Sequence, residues 1–134
     1  MRAEGTMIMS EEERKRALRQ RTKRFAGDVV RLFVKLDRRP EEISILAKQM
    51  IRSGTSVGAN YREASRARSD ADFISKIELC TQEADETQYW LELLNEDCDI
   101  SETLTKPIWD EADQLISIFV TMAINTKKRR DRNK

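Results

Sequence analysis

The sequence predicts an all-α protein, an antiparallel up-and-down four-helix bundle that assembles as a cyclic homo-oligomer. Three observations carry the fold. Apolar residues recur at spacings of four and three in four successive segments, which draws one apolar stripe along each helix. Charged residues are 37% and apolar residues 39% of the 134 positions, a balance suited to helices with one wet and one dry side. The 2 prolines and 4 glycines leave little material for the turns of a sheet-rich fold. The length fits one domain around one core.

Residues 1–9 lack periodicity and read as a disordered N-terminus, residues 10–126 as the bundle, and residues 127–134 as a basic disordered tail. Ser10 with Glu13 forms a capping box that opens the first helix. Leu18, Thr22, Phe25, Val29, Leu32 and Leu36 make its stripe. It is expected to end near Arg39, because Pro40 disfavours helical geometry in the residue before it. The second helix starts at Pro40 or Glu41, with acidic residues at its positive end. Its stripe is Ile43, Ala47, Met50, Gly54, Val57, Tyr61 and Ala64, fading near Arg66 to Arg68. Ser69 or Asp70 caps the third helix, whose stripe is Phe73, Ile77, Cys80, Ala84, Thr87, Leu91 and Leu94. Thr105 and Pro107 mark the start of the fourth, unless Ser101 caps an earlier turn. Its core residues are Ile108, Ala112, Leu115, Phe119 and Met122. Ile116, Ile118, Val120 and Ile124 add apolar surface beyond one stripe, which suggests a neighbouring subunit.

Inside the second helix, Gly54 and Gly58 lie four apart among small polar residues. A glycine within a helix costs about 0.5–1 kcal/mol relative to alanine, so something must offset it. Four-residue spacing puts both on one face, where a second backbone can approach. Ser53-Gly54-Thr55-Ser56-Val57-Gly58-Ala59-Asn60 with Glu63-Ala64, and then Asp72–Lys76 and Glu83–Leu94, resemble the signature of small bacterial four-helix-bundle proteins. Some of these are encoded in intervening sequences of 23S ribosomal RNA genes. The accessory variability determinant proteins of diversity-generating retroelements are similar in fold. The resemblance spans roughly residues 18–126. It implies an up-and-down bundle in a five-membered ring, marks Gly54, Ser56, Gly58, Asn60 and Glu63 as the structural signature, and supplies no molecular activity for most members. Asn60 and Glu63 are read as a buried polar network through Arg52 or Arg62 rather than as a catalytic pair.

Net charge is +1, yet it is segregated: residues 1–39 carry +6, residues 69–113 carry −12 and residues 114–134 carry +5. Such faces of opposite sign favour head-to-tail assembly. The expected subunit contacts are Arg31 and Lys35 against Glu78 and Asp85, with Tyr89, Trp90, Ile116 and Val120 as apolar anchors. Arg24 and Arg38 share the flank of Arg31 and Lys35. The leading expectation is a non-enzymatic assembly or adaptor protein whose main partner is itself. The alternative is an RNA- or DNA-binding accessory factor, which the resemblance to the retroelement proteins would pair with a reverse transcriptase or ribonucleoprotein. It would act through Arg14, Lys15, Arg16, Arg19, Arg21, Lys23 and Arg24, with Lys127, Lys128, Arg129 and Arg130 in the tail. No aromatics are interleaved there, so such binding would be sequence-tolerant.

Other classes are disfavoured. The chain has no histidine, which removes the commonest general base and metal ligand, and no phosphate loop or nucleophile elbow is present. No catalytic residue, cofactor or metal site is expected. No apolar run is long enough to span a membrane, and Met1 to Ser10 lack a signal peptide's apolar core. Two isolated cysteines fit a reducing cytoplasm. Cys80 falls in a core phase, and a bridge to Cys98 would have to span a helix length of about 27 Å.

Overall fold

The structure, a computed structural model, describes residues 9–133. Four helices account for nearly all of them: α1 (Glu11–Lys35), α2 (Glu41–Ala64), α3 (Asp70–Asp97) and α4 (Glu102–Arg132). No strand occurs among the described residues. Short links make successive helices antiparallel. Each helix packs against its two neighbours in chain order, α4 closes back onto α1, and the backbones of the diagonal pairs α1–α3 and α2–α4 stay apart. The α1–α4 seam is the loosest of the four.

The apolar stripes meet along the bundle axis. Phe25, Val29, Met50, Val57, Ile77, Leu91, Leu94, Leu115 and Phe119 are all buried to within 1%, each contributing about 1.5–3 kcal/mol by leaving water. Tyr61 from α2 stacks on Phe119 from α4 with ring centroids 6.2 Å apart, so an aromatic pair bridges one diagonal. The α3 stripe is wider than expected, with Ile74 and Gln88 also buried and Phe73 only half-buried. Cys80 packs as a small apolar group, its thiol against the Val57 carbonyl at 3.7 Å. Burial pushes that thiol up to about 12, so it stays protonated.

Helix ends differ from the expectation where side chains act as caps. The capping box at Ser10 forms as read. However, α1 ends at Lys35 rather than near Arg39, because Leu36 turns to extended backbone and tucks its side chain into the core. The Arg38 guanidinium folds back to donate to the carbonyls of Phe33 and Leu36 and lies over the Phe33 ring at 4.1 Å. Arg38 therefore serves the helix end and does not join the outward flank. At α4, Ser101 accepts from the Thr103 amide at 3.2 Å, so the helix begins five residues before Pro107. The proline sits inside it, and the Thr103 carbonyl that loses its partner belongs to an exposed residue.

The basic run is a second correction. Residues 127–132 continue α4 rather than forming a disordered tail. Lys127 pairs with Glu78 at 3.0 Å and Arg129 with Asp70 at 2.8 Å, so acidic α3 holds the run in register. Cations in a last turn also suit the negative end of a helix. The disorder expected for residues 1–8 lies outside the described residues.

Candidate functional site

The α2 signature is a two-sided contact strip. Towards α1, a Cβ built on Gly54 would stand 2.8 Å from both Val29 methyl carbons, well inside contact. At Gly58 it would meet the Thr22 carbonyl oxygen of the α1 backbone at 3.4 Å. The two glycines thus differ: Gly54 lets a side chain in, whereas Gly58 lets a backbone near. Towards α3, fully buried Ser53 meets Thr87 at 2.9 Å. Thr87 also reaches the Glu83 carbonyl at 2.8 Å and Ser53 the Met50 carbonyl at 3.2 Å. Two hydroxyl protons serve three contacts. The shorter pair favours Ser53 donating to Thr87 and Thr87 donating to Glu83. Ser56 and Thr55 satisfy their hydroxyls on carbonyls four residues back at 2.7 Å, which keeps the helix regular despite turn-like composition.

Asn60 and Glu63 do not form the expected buried network. Glu63 is exposed and pairs with Lys76 at 2.8 Å, and Asn60 is half-buried. Arg52 turns to α3 instead, reaching Glu86 at 3.0 Å and Glu83 at 3.7 Å. The reason is phase: Glu63, nine residues from Gly54, is turned about 180° away from it and faces solvent, whereas Asn60, seven residues from Ser53, shares that residue's flank and stays half-buried. Glu83 is the strained member of this group. Burial, with Glu86 beside it, raises its carboxyl, and Arg52 only partly offsets this. Its Oε1 is buried without a hydrogen-bond partner.

The residues expected at subunit contacts divide in two. Exposed apolar side chains include Val30 and Val34 on α1 and Leu79 and Tyr89 on its diagonal partner α3, with Val120 and Ile124 on α4 and Ile45 on α2. Among these Val34 is 69% and Tyr89 53% exposed. Lys35 on α1 and Asp85 on α3 are exposed and make no ion pair among the described residues. Three others are engaged within the chain. Arg31 pairs with Asp28 at 2.7 Å, Glu78 is taken by Lys127, and Ile116 packs half-buried against its own core. Trp90 also leans on the core, with Tyr89 edge-on to it at 5.0 Å and its indole N–H buried without a partner. Trp109 donates to Glu92 at 2.8 Å.

The two basic clusters come to the same end of the bundle. Glu11, Lys15 and Arg129 line one surface depression with Arg68 of the α2–α3 link. Many of these cations are already held. Lys15 lies 3.7 Å from Glu11 and 3.5 Å from Glu12. Arg21 makes a two-pronged contact with Glu111 at 2.7 and 2.9 Å. Arg14 donates to the Met9 carbonyl at 2.8 Å, Arg19 to Ser65 at 3.3 Å, and Arg130 lies 3.3 Å from Asp131. Arg16, Lys23, Arg24 and Lys128 are exposed and unpaired among the described residues. Within that same range, no three acidic or cysteine side chains gather as a metal site requires, and no helix is long and apolar enough to cross a membrane.

This geometry defines a class: a four-helix bundle with a glycine-and-serine strip on its second helix and oppositely charged outer helices. Residues 14–121 match the 23S rRNA-intervening sequence protein family, and the chain belongs to it. It is also similar to a crystal structure of a protein with unknown function from the S23 ribosomal protein family of Bacteroides thetaiotaomicron. That similarity has 35% identity and a TM-score of 0.72, covering 78% of this chain and 96% of that one. No curated protein matches the chain.

Proposed function

We propose that this chain is a self-assembling scaffold, built to close a ring by seating the outer face of α1 in one copy against the outer face of α3 in the next. The observation that supports this is the placement of two different apolar faces on diagonal helices. Val30 and Val34 stand beside exposed cations, and Tyr89 beside exposed carboxylates. A head-to-tail interface needs two unlike, complementary faces on one molecule. The family resemblance supports five copies as the size of that ring.

Charge reversal tests it. Light scattering of the parent is expected to give a multiple of 15.6 kDa. Lys35→Glu and Asp85→Lys should each lower the mass, and the double variant should restore it. A parent of single-chain mass, or singles that assemble like the parent, would overturn the reading.

A second reading, an RNA- or DNA-binding accessory role, is supported by the convergence of the basic clusters on one end of the bundle. In an electrophoretic shift assay, binding should weaken steeply with salt, with a slope of about −0.9 per phosphate neutralised on duplex DNA. Arg16→Glu with Lys128→Glu should remove it. The absence of any shift at low salt would count against this role.

A further inference from the structure

Between the N-terminal half of α1 and the C-terminal half of α4, the loose seam forms a half-open cavity of about 380 Å³. That lies within the range of about 300–1,000 Å³ typical of small-molecule sites. Leu18, Tyr61, Phe73, Ile118 and Met122 supply its apolar and aromatic walls. Tyr61 is the unusual member. Its side chain is 1% exposed, yet its hydroxyl makes no hydrogen bond among the described residues. The hydroxyl is not sealed from the cavity, so water, or an acceptor oxygen that displaces the water, can accept its hydrogen bond. The same ring would stack on Phe119 without the oxygen.

The charged residues at the rim argue about the ligand. Lys15 faces Glu11 and Glu12, Arg21 is clamped by Glu111, and Arg14 is spent on the Met9 carbonyl. Each cation is satisfied at home, so the mouth selects no strong anion. The walls are aromatic and thioether, which favour a flat ring. Burial pushes the Tyr61 phenol up to about 12, so it keeps its proton and is available as a donor at any ordinary pH.

We infer that the α1–α4 cavity is a binding site for a neutral, single-ring aromatic molecule carrying one acceptor oxygen, which takes the hydrogen bond of the Tyr61 hydroxyl. The site is separate from the α1 and α3 outer faces, so it does not depend on assembly.

The test uses the full chain with acetophenone as the oxygen-bearing probe and isopropylbenzene as its oxygen-free counterpart. Methyl-detected NMR should show both probes shifting Ile118 and Met122. Tyr61→Phe keeps the ring and the cavity. It should weaken acetophenone about tenfold, the worth of one hydrogen bond, and leave isopropylbenzene no weaker. Comparing the two chains cancels the different hydration of the probes. Leu18→Trp should fill the cavity and abolish both shifts, with circular dichroism and solution mass unchanged. The inference is overturned if neither probe binds, if Tyr61→Phe leaves acetophenone unchanged or weakens both equally, or if Leu18→Trp lowers the mass, which would make the seam a subunit contact.

Discussion

Gly54→Leu is expected to abolish cooperative thermal unfolding, and Gly54→Ala to lower stability by about 1–2 kcal/mol. The second figure is the difference of two terms. Overpacking a well-filled core costs about 1–3 kcal/mol, while alanine's helix preference returns about 0.5–1 kcal/mol. Overpacking wins because of what the new carbon meets. Both Val29 methyls would lie 2.8 Å away. Val29 is fully buried, and a β-branched residue in a helix has one strongly preferred rotamer. It cannot swing aside, so α1 and α2 must part. Gly58 gives the contrast within the same strip. Its new carbon would rest at 3.4 Å from the Thr22 carbonyl oxygen, an ordinary contact, so Gly58→Ala should be neutral or stabilise by up to about 1 kcal/mol. Gly58→Leu pushes further atoms into that backbone and should cost about 1–3 kcal/mol. Chemical denaturation of the alanine pair is the decisive measurement. Equal effects at both positions would mean that the strip is a uniform groove and not a socket for Val29.

These two glycines also show how far the sequence could be read. Their spacing announced a close approach, because few other reasons place glycine twice on one helical face. It could not say which helix comes near or that a side chain fills one notch and a backbone the other, since both depend on the relative rotation of α1. The stripes of α1 and α2 were legible for the same reason that they fold: a period of 3.6 is a local property. Ile74 and Gln88 were missed on α3 because its burial is wider than one stripe, flanked as it is by α2 and α4. Helix ends were less legible. Arg38 caps α1 by folding back over Phe33, a tertiary act with no local signature. The basic run beyond Thr126 reads as a solvated tail until Glu78 and Asp70 on another helix are seen to hold it. Glu63 lies opposite Gly54 on α2 and pairs with Lys76 on the surface, and Asn60, although it shares Ser53's flank, is only half-buried, so the two do not join in one buried network. Tyr61 was read as a stripe residue, and its ring is one. The idle hydroxyl depends on an empty space between two helices distant in sequence, and no spacing encodes it.

Phe119→Ala should be the most damaging truncation in the core, costing about 3–5 kcal/mol and lowering Tm by roughly 10–20 °C. The magnitude follows from position. Phe119 is fully buried on α4 and stacks on Tyr61 of α2, its diagonal partner, so it fills space that no adjacent pair of helices can close. Removing the ring leaves a cavity flanked by Tyr61, whose own far side already faces the seam cavity lined by Ile118 and Met122. Four helices tied by short links cannot all move inwards at once, so the void persists and its full cost is felt. Phe119→Leu keeps most of the volume and should recover more than half of the loss. Differential scanning calorimetry of the two variants checks the argument. An alanine variant that melts within a few degrees of the parent would show that the diagonal is bridged by something other than this aromatic pair, and that α1 and α4 collapse readily across their seam.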